Sequence, residues 1–375
     1  MNGKAIIPVS KPLLPTTREL LPYLERIDAS RFYSNFGPLN TELETRISEK
    51  LGSGTNSVTT VSSATAGLTA ALVSMMNNSS KKQKTLKPVC LLPAWTFVAT
   101  FHAVISAGME PFLIDVDPKT WKTTPYITKE ALSKIDGDPV AVIPVAPFGR
   151  PVETQVWDDF KEETGIEVVI DSAAGFDSLT ASNIPKVVSM HATKVLAAGE
   201  GGFIVSTEAN IVNHIRKYIN FGFSGDRFSR SQGTNAKMSE YQAAVALASL
   251  DNWPETRAIY GNIVTQYQDR IANEEKLSIL PSSDDRHVTS SIMLESSIPL
   301  PSGFDEFLLE NGIETRRWWG KGLQAQILNK KVQSASLQQT KQLAESCIGL
   351  PCFPGITESE INYVVDTILR NLKGY

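Results

Sequence analysis

Residues 168–174 read VVIDSAA, and residues 186–206 read KVVSMHATKVLAAGEGGFIVS. The first is an apolar run that stops at a carboxylate, Asp171. The second sets two β-rich runs around a lysine and a cluster of glycines. Runs that are apolar almost throughout belong to strands covered on both faces by helices. Upstream of them the alternation continues through VTTVSS, a helical stretch from Leu68 to Met76, VCLLPA, a helix through Phe101, PFLIDV and AVIPVAPFG. Strand and helix in regular succession over residues 58–207 predict an α/β domain with a mostly parallel central sheet between helices. Residues 77–84, NNSSKKQK, are expected to be a solvated loop within that layer. Beyond it, Ser239 and Gln242 have capping-box spacing ahead of an amphipathic helix that Pro254 breaks or kinks. The last hundred or so residues lose the alternation. The expected organisation is an N-terminal arm and large α/β domain over residues 1–250, then a smaller α+β domain over 251–375 that the arm joins.

The 375 residues carry 36 basic and 40 acidic side chains, a formal net charge of −4, with 42% hydrophobic residues. A chain of this length buries a large core without disulfides or structural metal. The slight acidity gives no general attraction for phosphate backbones, and the one basic cluster is the short set Lys81, Lys82, Lys84 and Lys87. Nucleic acid is therefore not an expected partner. Cys90, Cys347 and Cys352 are scattered, without CxxC spacing or a nearby histidine pair, so they read as buried thiols and no metal site is expected. The N-terminus has too short an apolar stretch for a signal segment, which predicts a cytoplasmic protein. Residues 88–109 lack Asp, Glu, Lys and Arg, yet Pro93, Thr96, Thr100, His102, Ser106 and Gly108 favour a buried strand running into a core helix over a membrane span.

Four features point to chemistry. Lys194 follows an apolar strand, where packed neighbours can disfavour the ammonium form and leave an amine able to attack a carbonyl or remove a proton; an ordinary solvated lysine at a strand end would also explain it. Ser62-Ser63-Ala64-Thr65 sits where a strand turns into a helix and presents N–H groups and hydroxyls suited to a phosphate; simple capping would also explain it. Asp171 stands at the carboxyl edge of the sheet, where open α/β proteins bind ligands and where a carboxylate can face a protonated pyridine nitrogen or cap a turn. Trp95-Thr96-Phe97 also follows an apolar strand and offers an aromatic face to a ring, with core packing as the plainer reading.

Together these residues resemble the DegT/DnrJ family of nucleotide-sugar aminotransferases. The resemblance rests on HATK followed by GEGG, and on ordered matches from Phe36-Gly37-Pro38 with Leu43-Glu44 through Ile114-Asp115-Val116, Pro144-Val145 with Phe148-Gly149, Gly233-Thr234-Asn235 and Met238-Ser239-Glu240, to Leu350-Pro351 with Phe353-Pro354. It implies the fold-type I architecture and a pyridoxal 5'-phosphate cofactor that passes through pyridoxamine 5'-phosphate. In that resemblance Lys194 is the catalytic lysine, forming the Schiff base and shuttling the proton. Asp171 faces the pyridine nitrogen, Phe97 stacks on the ring, and Ser189 with the backbone around Ala64 and Thr65 holds the phosphate. Asn235 resembles the asparagine that reaches the phosphate from the other subunit, which implies a homodimer with shared sites.

The lysine at 194, where related 3-dehydratases carry histidine, favours transamination. The expected reaction moves an amino group from L-glutamate to a UDP- or dTDP-linked keto sugar, with C4 of a 4-keto-6-deoxy sugar the main expectation and C3 amination the alternative. Phe36, Arg227, Arg230 and Arg316 are the candidates for substrate contact. The arginines at 227 and 230 lie in a glycine- and serine-rich stretch over 222–233. Ala64 and Ala174 depart from the family pattern, which has glycine at the first and glutamine or histidine at the second. A non-enzymatic sensor on the same fold is the rival they leave open. A nicotinamide dehydrogenase is disfavoured because the close glycine cluster, Gly199 to Gly202, precedes a strand instead of following the first one.

Overall fold

A computed structural model describes residues 6–78, 87–282, 287–327 and 332–372. Lys81, Lys82, Lys84 and most of the loop expected over 77–84 lie outside the described residues; Lys87 lies inside and pairs with Glu110 at 2.7 Å. The first eight strands all belong to the central layer: β1 (Val58–Val61), β2 (Pro88–Pro93), β3 (Glu110–Ile114), β4 (Asp138–Val142), β5 (Glu167–Val168), β6 (Ile170–Asp171), β7 (Lys186–Ser189) and β8 (Gly202–Val205). Four more follow: β9 (Leu277–Leu280), β10 (Ile292–Ser296), β11 (Gln333–Ser334) and β12 (Cys347–Leu350).

One half of the layer has the order β11-β3-β2-β4-β5, parallel throughout. The other has the order β1-β8-β7-β6. β5 and β6 are two halves of one extended run, and Val169 and Asp171 donate their amides to Val142 and Pro144 of the preceding strand and its extension. The halves therefore meet along residues 167–171. The sheet is mostly parallel, as the apolar runs predict, with β8 antiparallel to both neighbours. The reason is local: β7 stops at Ser189 and the chain returns as β8 through a loop over residues 190–201 that contains no helix, and so lacks the helical crossover by which parallel strands are usually joined. The first β-rich run ends at Ser189, and His191 to Lys194 already belong to that loop, turned by the Lys194 amide on the His191 carbonyl at 2.9 Å.

Alternate residues of β2 enter different cores. Cys90 and Leu92 pack with the helices Ala64–Asn78, Val98–Ser106 and Ala209–Tyr218, while Val89 and Leu91 pack with Pro125–Leu132 and Gln155–Thr164. Burial on both faces is what makes β2 read as a continuous apolar run. Residues 88–109 accordingly form β2 and a helix of the core, and no helix among the described residues is long and apolar enough to cross a membrane. All three cysteines are free and buried.

The capping box forms as the spacing predicts: Gln242 N donates to Ser239 Oγ and Ser239 N to Gln242 Oε1. The helix it starts, Glu240–Asp251, is buried on more than one side, since it packs against both Thr17–Ser30 and Pro38–Leu51; the amphipathic expectation understated its burial. Pro254 occupies the first turn of the next helix, Trp253–Ile271, where its missing N–H costs nothing. Downstream, β9, β10 and β12 form an antiparallel sheet in the order β12-β10-β9. The N-terminal arm ties into this region through Ile7 N to Gly312 O and Cys352 N to Val9 O. Residues 333–334, in contrast, return to the large sheet as β11 beside β3.

Candidate active site

The carboxyl ends of β6 and β7 bring Asp171 and Lys194 into electrostatic reach of each other. Asp171 is only 6% exposed. Its Oδ2 accepts a hydrogen bond from the Thr100 hydroxyl at 2.8 Å and its Oδ1 one from the Ala173 amide at 3.0 Å. Burial pushes its pKa up, and Thr100, Ala173 and the Lys194 charge pull it back. Burial conversely drives the Lys194 ammonium down, opposed by Asp171. Each charge thus offsets part of the other's desolvation.

The lysine loop is held from three sides. Ser290 Oγ donates to Thr193 O, the carbonyl of the peptide that leads into Lys194, at 2.6 Å. Ser249 Oγ reaches Ala197 O at 2.6 Å, and Gln242 Nε2 reaches Glu200 O at 2.9 Å. His191 faces along the loop: Nδ1 lies 2.9 Å from the Thr193 hydroxyl and 3.3 Å from the Thr193 amide, and Nε2 faces Glu200 at 3.7 Å. Ser189, at the end of β7, accepts the His191 amide at 3.2 Å.

β1 runs through Ser62 and Ser63 into the helix Ala64–Asn78, with Ser63 Oγ capping the Ala66 amide at 3.2 Å. The expected strand-to-helix turn is therefore present, and the amides of Ala64 and Thr65 lie in its first turn. β8 crosses close beneath: a Cβ on Gly202 would lie 2.9 Å from Ala64 N and 2.7 Å from Val188 O, so only glycine permits the approach. Of the aromatic pair after β2, Trp95 is buried in a cluster with Trp121, Phe148 and Trp319. Phe97 is 56% exposed, immediately before the helix that carries Thr100.

Asn235 is exposed on its own chain, where Lys237 Nζ donates to its Oδ1 at 2.7 Å. Next to it, Ala236 O accepts the Ser62 amide at 2.8 Å, which sets this segment beside the phosphate-type turn. The four substrate candidates do not converge. Phe36 packs under the Arg216 guanidinium, with Cζ 4.6 Å from the ring centroid. Arg227 is exposed, Arg230 pairs with Asp226, and Arg316 pairs with Glu314 at 3.2 Å while lying over Trp318. Thr100 and Ser290 are contributors that sequence reasoning missed. For Thr100 the available signal was the i,i+4 pair Thr96 and Thr100, whose hydroxyls lie 3.0 Å apart.

The profile of the DegT/DnrJ/EryC1/StrS aminotransferase family matches residues 16–369. The chain belongs to that family. Among relatives, the dTDP-4-amino-4,6-dideoxy-D-glucose transaminase of Shigella dysenteriae is 28% identical over 378 residues, spanning 97% of this chain and 98% of its own. Among solved structures, a Bacillus cereus protein described as a PLP-dependent aminotransferase superposes with a TM-score of 0.88 at 26% identity, over 97% of this chain and 99% of the other. DesI, crystallised with its TDP-sugar product, gives 0.85 at 28% identity over 99% and 94%. The fold is that of PLP-dependent aminotransferases, and family membership makes this protein an aminotransferase. Among the described residues no group of His, Cys, Asp and Glu is arranged to hold a metal ion.

Proposed function

We propose that this protein transfers an amino group from L-glutamate to a UDP- or dTDP-linked keto sugar, at C4 of a 4-keto-6-deoxy sugar, for amino-sugar and surface-polysaccharide synthesis. The observation that carries the reading is the mutual electrostatic coupling of a desolvated lysine and a buried carboxylate at the carboxyl edge of the sheet. The residues fit pyridoxal phosphate. The Ala64–Thr65 helix start offers amides to a phosphate, helped by the Ser189 hydroxyl, and Phe97 offers an exposed ring face. When bound, that group supplies an electron sink and a carrier for the amino group.

This chain's own residues do the rest. Lys194, disfavoured as an ammonium, is the amine that would hold the cofactor and serve as the proton-transferring base. Asp171, oriented by Thr100 and the Ala173 amide, is the carboxylate that would face the pyridine nitrogen and favour its protonated form. The exposure of Asn235 supports its use by the partner's site in a homodimer. The large and small domains of that subunit are proposed to divide near residue 250.

The absorption spectrum of the purified protein tests this. Wild type loaded with pyridoxal phosphate should be yellow and bleach with glutamate, while Lys194→Ala should lack the lysine-bound band. Mass spectrometry of a keto sugar turned over by the bleached enzyme then assigns the carbon. A wild type that takes up no cofactor would sink the proposal.

A further inference from the structure

We propose that residues 287–290, which lead into β10, form a strut that sets the Asp171 loop against the Lys194 loop, with Asp177 as the positioning residue that receives it. The inference rests on the reading of Asp171 and Lys194 as the working pair and adds what holds the two at a fixed separation. They stand at the ends of different strands, β6 and β7, each of which runs into a stretch without helix or strand, residues 172–185 and 190–201. Among the described residues, direct backbone pairing between those stretches runs out at Ser189 N on Ala173 O, 3.3 Å. Beyond that bond the alignment of the loops depends on a third piece of chain.

The strut touches both loops within three residues. Val288 N donates to Asp177 Oδ2 at 2.9 Å, and Ser290 Oγ donates to Thr193 O at 2.6 Å. Two residues of chain span at most about 7 Å, so the segment has no slack with which to follow one loop and leave the other. It is also packed along its length, with His287 and Val288 each 6% exposed and Thr289 1%. At its start, a Cβ on Gly149 would lie 3.3 Å from His287 Cδ2 and 2.8 Å from Ala174 O, so the imidazole, Gly149 and the Asp171 loop meet at one corner. Ser178 Oγ closes that corner on Gly149 O at 2.7 Å.

Asp177 joins the two ends of this arrangement. Its side chain is buried, and both carboxylate oxygens are committed outside its own loop: Oδ1 takes Arg257 Nε at 2.8 Å and Oδ2 takes the Val288 amide. A buried carboxylate is tolerated only with such partners, and here both come from the chain beyond residue 250. Beside it, Phe176 packs edge-on to Trp253 with ring centroids 4.8 Å apart, which pins the far end of the loop to the core. Asp171 lies six residues before Asp177, and Lys194 one residue after Thr193. A shift of the sheet β12-β10-β9 is therefore transmitted to both reacting groups together, and loss of either foot of the strut lets them move independently.

Hydrogen–deuterium exchange of the full chain, read by peptide mass spectrometry, tests the strut without any turnover. Asp177→Ala should speed exchange about tenfold across residues 190–199, a loop to which Asp177 makes no hydrogen bond among the described residues. Ser290→Ala, which acts on Thr193, should do the reciprocal across residues 172–178. With pyridoxal phosphate bound, bleaching by glutamate should slow about threefold to tenfold in Asp177→Ala. Asp177→Asn, whose amide oxygen still accepts the Val288 N–H, should recover most of the protection and of the rate. Melting curves confirm that the variants are folded, and should Asp177→Ala fail to fold, Asp177→Asn and the reciprocal effect in Ser290→Ala carry the test. Folded variants whose effects stop at the loop each one touches overturn the strut and leave the roles of Lys194 and Asp171 intact. A wild type that takes up no cofactor sinks the reading of the pair, while exchange still decides whether the two loops are joined.

Discussion

Thr100 Oγ1 donates to Asp171 Oδ2 at 2.8 Å, and Thr96 Oγ1 stands 3.0 Å behind it. A hydrogen bond to a buried carboxylate favours the ionised form, so Thr100 works against the upward push of burial on Asp171. Thr100→Val keeps the shape and removes the donor. The Asp171 pKa should rise further, and the glutamate half-reaction should slow about tenfold, the equivalent of one lost hydrogen bond to a charged group. Thr100→Ser should stay close to wild type. Stopped-flow bleaching rates across pH check this, and equal rates for Val and Thr would remove Thr100 from the site.

The Ser290 hydroxyl holds the carbonyl of Thr193, one peptide bond from Lys194. Its own segment is anchored too, with Val288 N on Asp177 Oδ2 at 2.9 Å. Ser290→Ala frees a carbonyl beside the reactive amine and widens the range of positions Lys194 samples. The expected outcome is a glutamate half-reaction about threefold to tenfold slower, since small misplacements at a reacting group are costly. Nucleotide affinity should not move. A loss of nucleotide affinity with unchanged bleaching would show that Ser290 does not act through the lysine loop.

Gly37 and Glu240 exclude each other's alternatives. A Cβ on Gly37 would lie 2.6 Å from Glu240 Cδ, and that carboxylate, 1% exposed, is committed to the first amides of the helix Pro38–Leu51. Gly37→Ala should displace the cap and cost about 1–3 kcal/mol, the range for a buried donor losing its partner. Glu240→Ala should cost a similar amount. The two should be strongly non-additive in urea unfolding, because the second mutation removes what the first clashes with. Additive losses would mean that the clash is not the cause.

The strands were legible because burial on both faces leaves a pattern in every residue: VVID and KVVS read as sheet without knowledge of their neighbours. Ser239, Gln242 and Pro254 were legible for a similar reason, since capping and helix breaking act within a few residues. The contacts that finish the site are of another kind. Thr100 meets Asp171 across 71 residues, Ser290 meets Thr193 across 97, and Glu240 meets Leu39 across 201. A local pattern records which side chains are polar but not which distant partner each finds. The antiparallel return of β8 escaped for a related reason, because β strength is the same in either direction and the connection over residues 190–201 is long enough for either.

At the far end of β7 from Ser189, Lys186 is buried and donates to Thr180 O at 2.7 Å, Thr180 Oγ1 at 2.9 Å and Thr154 Oγ1 at 3.3 Å. Burial pulls its pKa down from 10.5 to about 8, with Asp158 opposing. The sign follows from proton counting. Below pH 8 both folded and unfolded chains carry the proton and the full cost of burying it is present. Between about 8 and 10.5 the folded chain gives up its proton while the unfolded chain keeps it, so this residue's contribution to stability rises with pH. The rise is on the order of 3 kcal/mol over that window. Lys186→Met, whatever its stability at neutral pH, should lack the rise, and urea unfolding of both proteins from pH 7 to 10.5 isolates it by difference, since other titrating groups cancel. Parallel curves for the two proteins would mean that Lys186 keeps its proton through the window, held by the three threonine oxygens more firmly than burial opposes it.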